Sequence, residues 1–433
     1  MIQQTPLHPW IAAKIGCAPD ALTQVMIEAY QLDKLNETLE LCRTHSPFYR
    51  SKLAGLPEKL SALAELEAFP FTTADDVRER PLSLLAVSQS EIARVVTLDT
   101  SGTSGPPKRL YFTAADQELT RDFFHVGMAT FTAPGDRVLI LLPGERPGSV
   151  GDLLAQALPR LGATAIPHGL VTDVVQTLEI LQAEKATGVV GMPVQVLALV
   201  RAAVAQQMSC PQLKSVLLTT DHVPAAIVQA VENAWNCTVY NHYGMTEMGL
   251  GGGVECAARM GYHLREADLL FEIVDPESGM PLPDGAYGEL VFTTLTRRGM
   301  PLLRYRTGDI SRFLPGKCAC GTVLRRLETV RYRWHSRFPH TPSHFLTMAD
   351  LDDALFPLPG VLDFAAAVSE TELRVTVQAA DGGVATAVTY TLTNLPAVRQ
   401  LGLAVAVQVQ SGRVSPPGKR KLTIASSVGT EPG

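Results

Sequence analysis

From Ala114 onward the chain alternates stretches of helical period with short, continuous apolar runs. Ala114–Met128 reads as a helix, and the run Asp136-Arg137-Val138-Leu139-Ile140-Leu141-Leu142, closed by Pro143-Gly144, reads as a strand buried on both faces. The alternation continues with helices over 150–161, 171–183, 194–205 and 225–235 and strands over 163–167, 188–193, 215–220 and 237–240. Such a pattern predicts an α/β fold, a large domain of mostly parallel sheets flanked by helices. Ligands of these sheets bind at the carboxyl ends of strands, where Thr219-Thr220-Asp221 and Tyr243-Gly244-Met245-Thr246-Glu247 fall. Upstream, Leu22, Val25, Met26, Ala29, Leu32, Leu35, Leu39 and Leu41 predict an amphipathic helix over 21–45, stopped by Pro47. After Leu269 the texture becomes β-rich, with turns at 275–279 and 283–285, and beyond 335 a small α+β domain is expected. That domain is read as a helix over 349–355, strands over 361–368 and 373–378, a helix over 384–395 and a strand over 403–410. The expected domains are 1–327 and 336–433.

Composition narrows the function classes. A chain of 433 residues exceeds one compact core, and 46% hydrophobic with 18% charged residues is ordinary for a soluble globular protein. A net charge of -6 argues against nucleic acid or an anionic membrane as partner. No apolar run reaches membrane-spanning length, and the first ten residues do not read as a signal peptide. Seven cysteines, an odd number, fit a reducing cytoplasm better than a disulfide framework.

The first chemical signal lies between the apolar runs Arg94-Val95-Val96 and Leu110-Tyr111-Phe112. The connecting Thr100, Ser101, Gly102, Thr103, Ser104 and Gly105 offer hydroxyls and backbone N–H groups that suit phosphate oxygens, with Lys108 as a nearby point charge. Pro106-Pro107 follows Gly105, so this is not a Walker loop; a polar hairpin loop is the alternative for such a run alone. Cys256, His263, Cys318 and Cys320 form a second constellation, since thiolates and imidazole suit tetrahedral Zn²⁺ and Cys318-Ala319-Cys320-Gly321 is a tight turn. Buried, small-hydrophobe cysteines are the alternative.

Three motifs in order, the glycine-rich loop, Tyr240-Asn241-His242-Tyr243-Gly244-Met245-Thr246-Glu247 and Tyr287-Gly288-Glu289 through Arg304-Tyr305-Arg306-Thr307-Gly308-Asp309, resemble the adenylate-forming superfamily, with the phenylacetate-CoA ligase family as the nearest likeness. The entry Phe69-Pro70-Phe71-Thr72-Thr73 and the segment Glu272-Ile273-Val274-Asp275-Pro276 share it, over about 69–326. The resemblance implies a distorted β-barrel after Leu269, and an enzyme that turns an aromatic carboxylic acid and ATP into an acyl-adenylate, then a CoA thioester. It implies ATP or AMP, Mg²⁺ and CoA as cofactors. Thr103, Ser104 and Lys108 would hold the β- and γ-phosphates, Thr246 the α-phosphate, Glu247 the Mg²⁺ and Asp309 the ribose hydroxyls. Asp221, Tyr243, Gly244, Met245 and Arg325 are expected around the nucleotide. A helix N-cap with an acidic first-turn residue is the alternative for Thr246-Glu247, and a turn aspartate for Asp309. Cys256 and His263 resemble a Glu-Cys…Gly-x-His segment of part of the family, hence the expected structural zinc. Ser415-Pro416-Pro417-Gly418-Lys419-Arg420-Lys421 resembles the family's Gly-Lys loop, with Lys419 the expected catalytic lysine and Lys421 its rival. The family's Gly-Arg-x-Asp hinge is missing from Leu327-Glu328-Thr329-Val330-Arg331-Tyr332-Arg333. That departure leaves open a carrier-protein thiol or an amine as acceptor, and a degenerate homologue that binds nucleotide without turnover. A homodimer is also left open, and the acid is expected beside 240–249 and 143–148, where Gly251-Gly252-Gly253 leaves room for a flat ring.

Overall fold

The computed structural model describes residues 2–98, 107–339, 343–379, 383–411 and 420–425. The chain divides into two units: Met1–Asp136, Pro143–Pro167 and Tyr240–Val330 form one, and Arg137–Leu142, His168–Val239 and Arg331–Gly433 the other. Among the described residues no helix is long and apolar enough to cross a membrane.

In the first unit the long helix is Gln24–His45, begun by the Thr23 side chain accepting from the Met26 N–H. It starts three residues later than the apolar period suggests, because Pro19–Ala21 forms a separate 3-10 turn and Leu22 is extended. Its buried stripe of Ile27, Gln31, Leu35, Thr38, Leu39 and Cys42 recurs every three to four residues, which places one face on the core. That core also holds Tyr49, Phe271, Phe292 and Tyr305. The strands Leu269–Val274, Gly288–Thr294 and Tyr305–Ser311 pair antiparallel, with Phe271 opposite Phe292 and Phe292 opposite Tyr305. All seven residues of Gly288–Thr294 are buried, which explains why this stretch shows no alternation. The expected distorted barrel is instead an open sheet among the described residues.

Arg304 anchors this sheet to the preceding chain. It is 1% exposed, its ε-N–H donates to Glu272 at 3.2 Å, and one η-nitrogen donates to the carbonyls of Glu67 at 2.6 Å and Phe69 at 2.7 Å. Its guanidinium also stacks 4.1 Å from the Phe71 ring centre. Arg304→Ala leaves the half-buried Glu272 carboxylate without its guanidinium and unsatisfies both carbonyls. The expected cost is about 3–5 kcal/mol, seen as a lower urea midpoint for the first unfolding transition. A midpoint equal to wild type would mean that water replaces the guanidinium at no cost.

The second unit carries the parallel strands Arg137–Leu141, Gly188–Gly191 and Ser215–Leu218, with Val138 opposite Gly188 and Gly188 opposite Ser215. Parallel neighbours need crossovers, here supplied by helices Val174–Ala183 and Pro193–Ala205, followed by Ala225–Trp235. The same unit holds a four-stranded sheet in which Glu372–Ala379 pairs antiparallel with Val361–Val368 and parallel with Ala404–Ser411. Leu422–Ile424 adds a parallel edge to Val361–Val368. Helix Val384–Asn394 makes the parallel crossover. Arg201 of helix Pro193–Ala205 donates to the carbonyls of Phe356 at 3.0 Å and Leu358 at 3.2 Å, linking the two halves of this unit.

Candidate active site

Three stretches distant in sequence meet in the first unit. Lys108 opens the strand Lys108–Thr113, Glu247 lies in the 3-10 turn Thr246–Met248, and Tyr305 opens the strand Tyr305–Ser311. Lys108 Nζ ion-pairs with Glu247 Oε1 and donates to Tyr305 Oη at 3.2 Å, while Tyr305 Oη donates to the same Glu247 oxygen at 3.2 Å. Glu247 is only 3% exposed, so its charge requires these partners. Arg297 braces the turn from below. One η-nitrogen donates to the Glu247 carbonyl at 2.6 Å, the other to the Tyr111 carbonyl at 3.2 Å, and the guanidinium lies 4.3 Å from the Phe112 ring centre.

Asp309 reaches the site through a bulge. Opposite Glu289 to Val291, which enclose one residue, Arg306 and Ile310 enclose three: Thr307, Gly308 and Asp309. Gly308 takes φ +75°, a left-handed backbone that suits glycine. The Thr307 hydroxyl donates to the Leu290 carbonyl at 2.7 Å and accepts the Asp309 N–H at 2.9 Å, which fixes the aspartate. Tyr243 Oη then donates to Asp309 Oδ2 at 2.7 Å. Asp309 is therefore more than a turn residue, since its carboxylate is aimed away from its own loop. Nor is Thr246 a helix cap: it is the first residue of the 3-10 turn, whose cap position is Met245. Gly244 is required by packing, because a Cβ there would sit 2.1 Å from the Leu250 carbonyl oxygen.

The strand Thr238–Tyr243 presents alternate residues to opposite sides. Tyr243 meets Asp309, whereas Tyr240 stacks on Phe131 at 4.8 Å and His242 lies 6.1 and 6.2 Å from the rings of Phe123 and Phe124. Burial lowers the His242 pKa to about 4, so the imidazole is neutral at neutral pH. Glu255, which accepts the Asn241 N–H at 2.8 Å, is pushed up to about 7, chiefly by burial.

Thr100, Ser101, Gly102, Thr103, Ser104, Gly105 and Lys419 lie outside the described residues. Asp221 belongs to the second unit, where its carboxylate accepts the N–H of His222 at 2.9 Å and of Arg420 at 3.2 Å. Lys421 is exposed in the same unit. Arg325 pairs with Asp284 at 2.6 Å and covers the Phe313 ring at 3.4 Å. Sequence reasoning assigned no role to Tyr305 or Arg297. Tyr305 sits inside the Arg-Tyr-Arg-Thr-Gly-Asp signature and was open to discovery there; Arg297 carries no local signal.

Away from these groups, the donor atoms of Cys256, His263, Cys318 and Cys320 all lie within 4.8 Å of one another, and all four residues are buried. Cys256 Sγ is 3.6 Å from Cys318 Sγ, and Cys320 Sγ is 3.5 Å from His263 Nε2. These separations are far longer than a disulfide, and all seven cysteines are free thiols. They match the edges of a tetrahedron around an ion bonded at about 2.3 Å to sulfur, roughly 3.8 Å. Burial opposes ionisation of Cys320, yet the His263 hydrogen bond and the N–H groups of Thr322 and Thr5 bring its pKa down to about 6. Burial pushes Cys256 up to about 12.

A family model described as AMP-binding enzyme matches residues 61–295. The phenylacetate-coenzyme A ligase of Thermus thermophilus is 33% identical over 326 residues, covering 72% of this chain and 71% of the relative. The phenylacetate-coenzyme A ligase of Escherichia coli is 29% identical over 77% of this chain and 75% of the relative. Among solved structures, a 2-hydroxyisobutyryl-CoA ligase in complex with 2-HIB-AMP superposes with a TM-score of 0.80 at 21% identity, covering 94% of this chain and 91% of that one. At that identity the likeness concerns the fold.

Proposed function

The chain belongs to the AMP-binding enzyme family, and from that premise we propose that it is an AMP-forming acid–thiol ligase acting on an aromatic carboxylic acid and CoA. In the first half-reaction a carboxylate oxygen attacks the α-phosphorus of ATP, the bond from that phosphorus to the bridging oxygen breaks, and pyrophosphate leaves. In the second, the CoA sulfur attacks the acyl carbon and AMP departs with the electrons of the acyl–oxygen bond. The observation that carries this reading is the meeting of Lys108, Glu247 and Tyr305 from three separate motifs, beside the Tyr243–Asp309 pair.

Each residue has a role that its chemistry suits. Lys108, with Thr103 and Ser104 of the preceding loop, holds the β- and γ-phosphates by charge and hydroxyl donation. Thr246, whose hydroxyl is not spent on capping, binds the α-phosphate. Asp309, held by Tyr243, accepts the ribose hydroxyls. The buried Glu247 carboxylate is a hard oxygen donor that would hold Mg²⁺, which would supply charge neutralisation on the departing pyrophosphate. Phe123, Phe124, Tyr240 and His242 give the acid an aromatic wall with a neutral imidazole in it. Lys419 is the lysine that reaches the α-phosphate and the carboxylate, and residues 336–433 act as the small domain that alternates between the half-reactions. Cys256, His263, Cys318 and Cys320 would hold a structural Zn²⁺, which would tie residues 256–263 to residues 318–320.

ATP–pyrophosphate exchange with a panel of aromatic acids, with and without CoA, tests this reading. Acid-dependent exchange, together with CoA consumption, is the expected result. Exchange with no CoA consumed would replace CoA by a carrier-protein thiol or an amine, and nucleotide binding with no exchange for any acid would refute the activity.

A further inference from the structure

Beneath the Lys108–Glu247 pair, within the first unit, lies a cation with no acid of its own. Arg297 is 6% exposed, no carboxylate among the described residues ion-pairs with it, and its ε-nitrogen finds no acceptor there. Burial holds its pKa below the ordinary guanidinium value, against the pull of the Asp116 and Glu247 charges. A guanidinium buried without a counter-ion is costly, so filling space does not account for it. What it grips is backbone: one η-nitrogen takes the Glu247 carbonyl and the other the Tyr111 carbonyl. The turn's own hydrogen bonds end on the carbonyls of Met245 and Thr246, which leaves the Glu247 carbonyl to Arg297.

Those two carbonyls belong to the two elements that carry the phosphate machinery. Tyr111 lies in the strand opened by Lys108, and Glu247 follows Thr246 in the 3-10 turn. The guanidinium therefore spans the gap across which Lys108 and Glu247 meet. Its own loop is fixed on both sides. The Thr296 hydroxyl donates to Asp268 at 2.9 Å, and the N–H groups of Arg298 and Gly299 donate to Asp116 at 2.8 and 3.0 Å. Both acids are buried. Beyond the turn, the Thr120 hydroxyl donates to the Gly249 carbonyl at 2.9 Å, so loss of Arg297 loosens the turn without releasing it.

We infer that Arg297 is a positioning residue that sets the separation between the Lys108 strand and the Thr246–Glu247 turn, and so the geometry in which Mg²⁺ and the phosphates would be held. The inference rests on the adenylating reading and gives Arg297 no contact with ATP or acid. Two carbonyls on two elements need a planar fork, which the single ammonium of lysine cannot reproduce.

Arg297→Lys, which keeps the charge and loses the fork, carries the test in the full-length protein. Its Mg²⁺ half-saturation in ATP–pyrophosphate exchange should rise about tenfold, as expected when the support of a metal ligand is removed. The exchange rate at saturating Mg²⁺ should fall about tenfold, while the KM for the acid stays within about threefold of wild type. In the Glu247→Gln background the same substitution should cost less than about twofold, because a residue acting through Glu247 then has little left to act on. Without nucleotide or metal, hydrogen exchange of residues 246–250 should quicken about tenfold in Arg297→Lys, while residues 288–294 keep their protection. An unchanged Mg²⁺ requirement, additive losses in the double variant, unchanged protection at 246–250, or loss of the fold in Arg297→Lys would each overturn the inference. Wild-type protein that shows no exchange with any acid would instead refute the adenylating reading and take the positioning role with it.

Discussion

Glu247→Gln should lower ATP–pyrophosphate exchange by about 10²–10³-fold at saturating ATP and Mg²⁺, with the fold intact. Glutamine keeps the shape of the side chain and can still accept from Tyr305 Oη, so packing in a position 3% exposed is preserved. The charge is lost, and with it the partner of Lys108 and the hard anionic oxygen that suits Mg²⁺. Both losses fall on the step in which negative charge moves onto pyrophosphate. The KM for ATP should therefore change far less than the rate. Circular dichroism and thermal midpoint establish that the variant is folded; exchange within about threefold of wild type would remove Glu247 from the phosphate machinery.

The parts of this site that could be read from the sequence are those in which a short segment carries its own physical logic. The parallel strands of the second unit are continuous apolar runs, and the helix Ala114–Met128 has its period and a capping box at Thr113 and Asp116, so both elements are legible locally. The strands Gly253–Glu255 and Tyr262–Leu264 are three residues each, too short to show a period of two, and the antiparallel turn after Tyr243 goes unseen. The barrel was an expectation of likeness rather than of pattern. The open sheet Leu269–Val274, Gly288–Thr294 and Tyr305–Ser311 is what these residues form.

Candidate residues divide along the same line. Glu247 and Asp309 stand out through the likeness of their motifs to the adenylate-forming family, since locally an acidic first turn and a turn aspartate read as well. Tyr305 and Arg297 meet Glu247 across 58 and 50 residues and Lys108 and Tyr111 across 197 and 186, and no spacing rule reaches that far. Arg420 shows the limit most plainly. It reads as one cation in a basic run, yet it is enclosed by acids 57, 68 and 199 residues distant. The bulge at Thr307-Gly308-Asp309 lies between these extremes: glycine hints at a turn, but its effect on the aim of Asp309 needs the register of the neighbouring strand.

Purified protein should carry one equivalent of zinc, and its removal should cost the first unit several kcal/mol. Four buried donors within 4.8 Å of one another are a poor arrangement without an ion, because two thiols at 3.6 Å neither form a disulfide nor gain much from an S–H hydrogen bond. An ion that binds only the folded state stabilises it by RT ln(1 + [L]/Kd), about 4 kcal/mol when free metal exceeds the dissociation constant a thousandfold. At roughly 2 °C per kcal/mol for a large domain, chelation should lower the first thermal transition by about 8 °C, and added Zn²⁺ should restore it where Mg²⁺ does not. Cys318→Ser and Cys320→Ser should each abolish tight metal retention and reproduce the chelated transition without further response to chelator. The ligand cluster is distinct from Lys108, Glu247 and Asp309, so exchange activity below the transition should survive metal removal far better than stability does. Elemental analysis with no zinc, or a transition indifferent to chelator, would leave these four side chains as a buried polar cluster and the metal assignment without support.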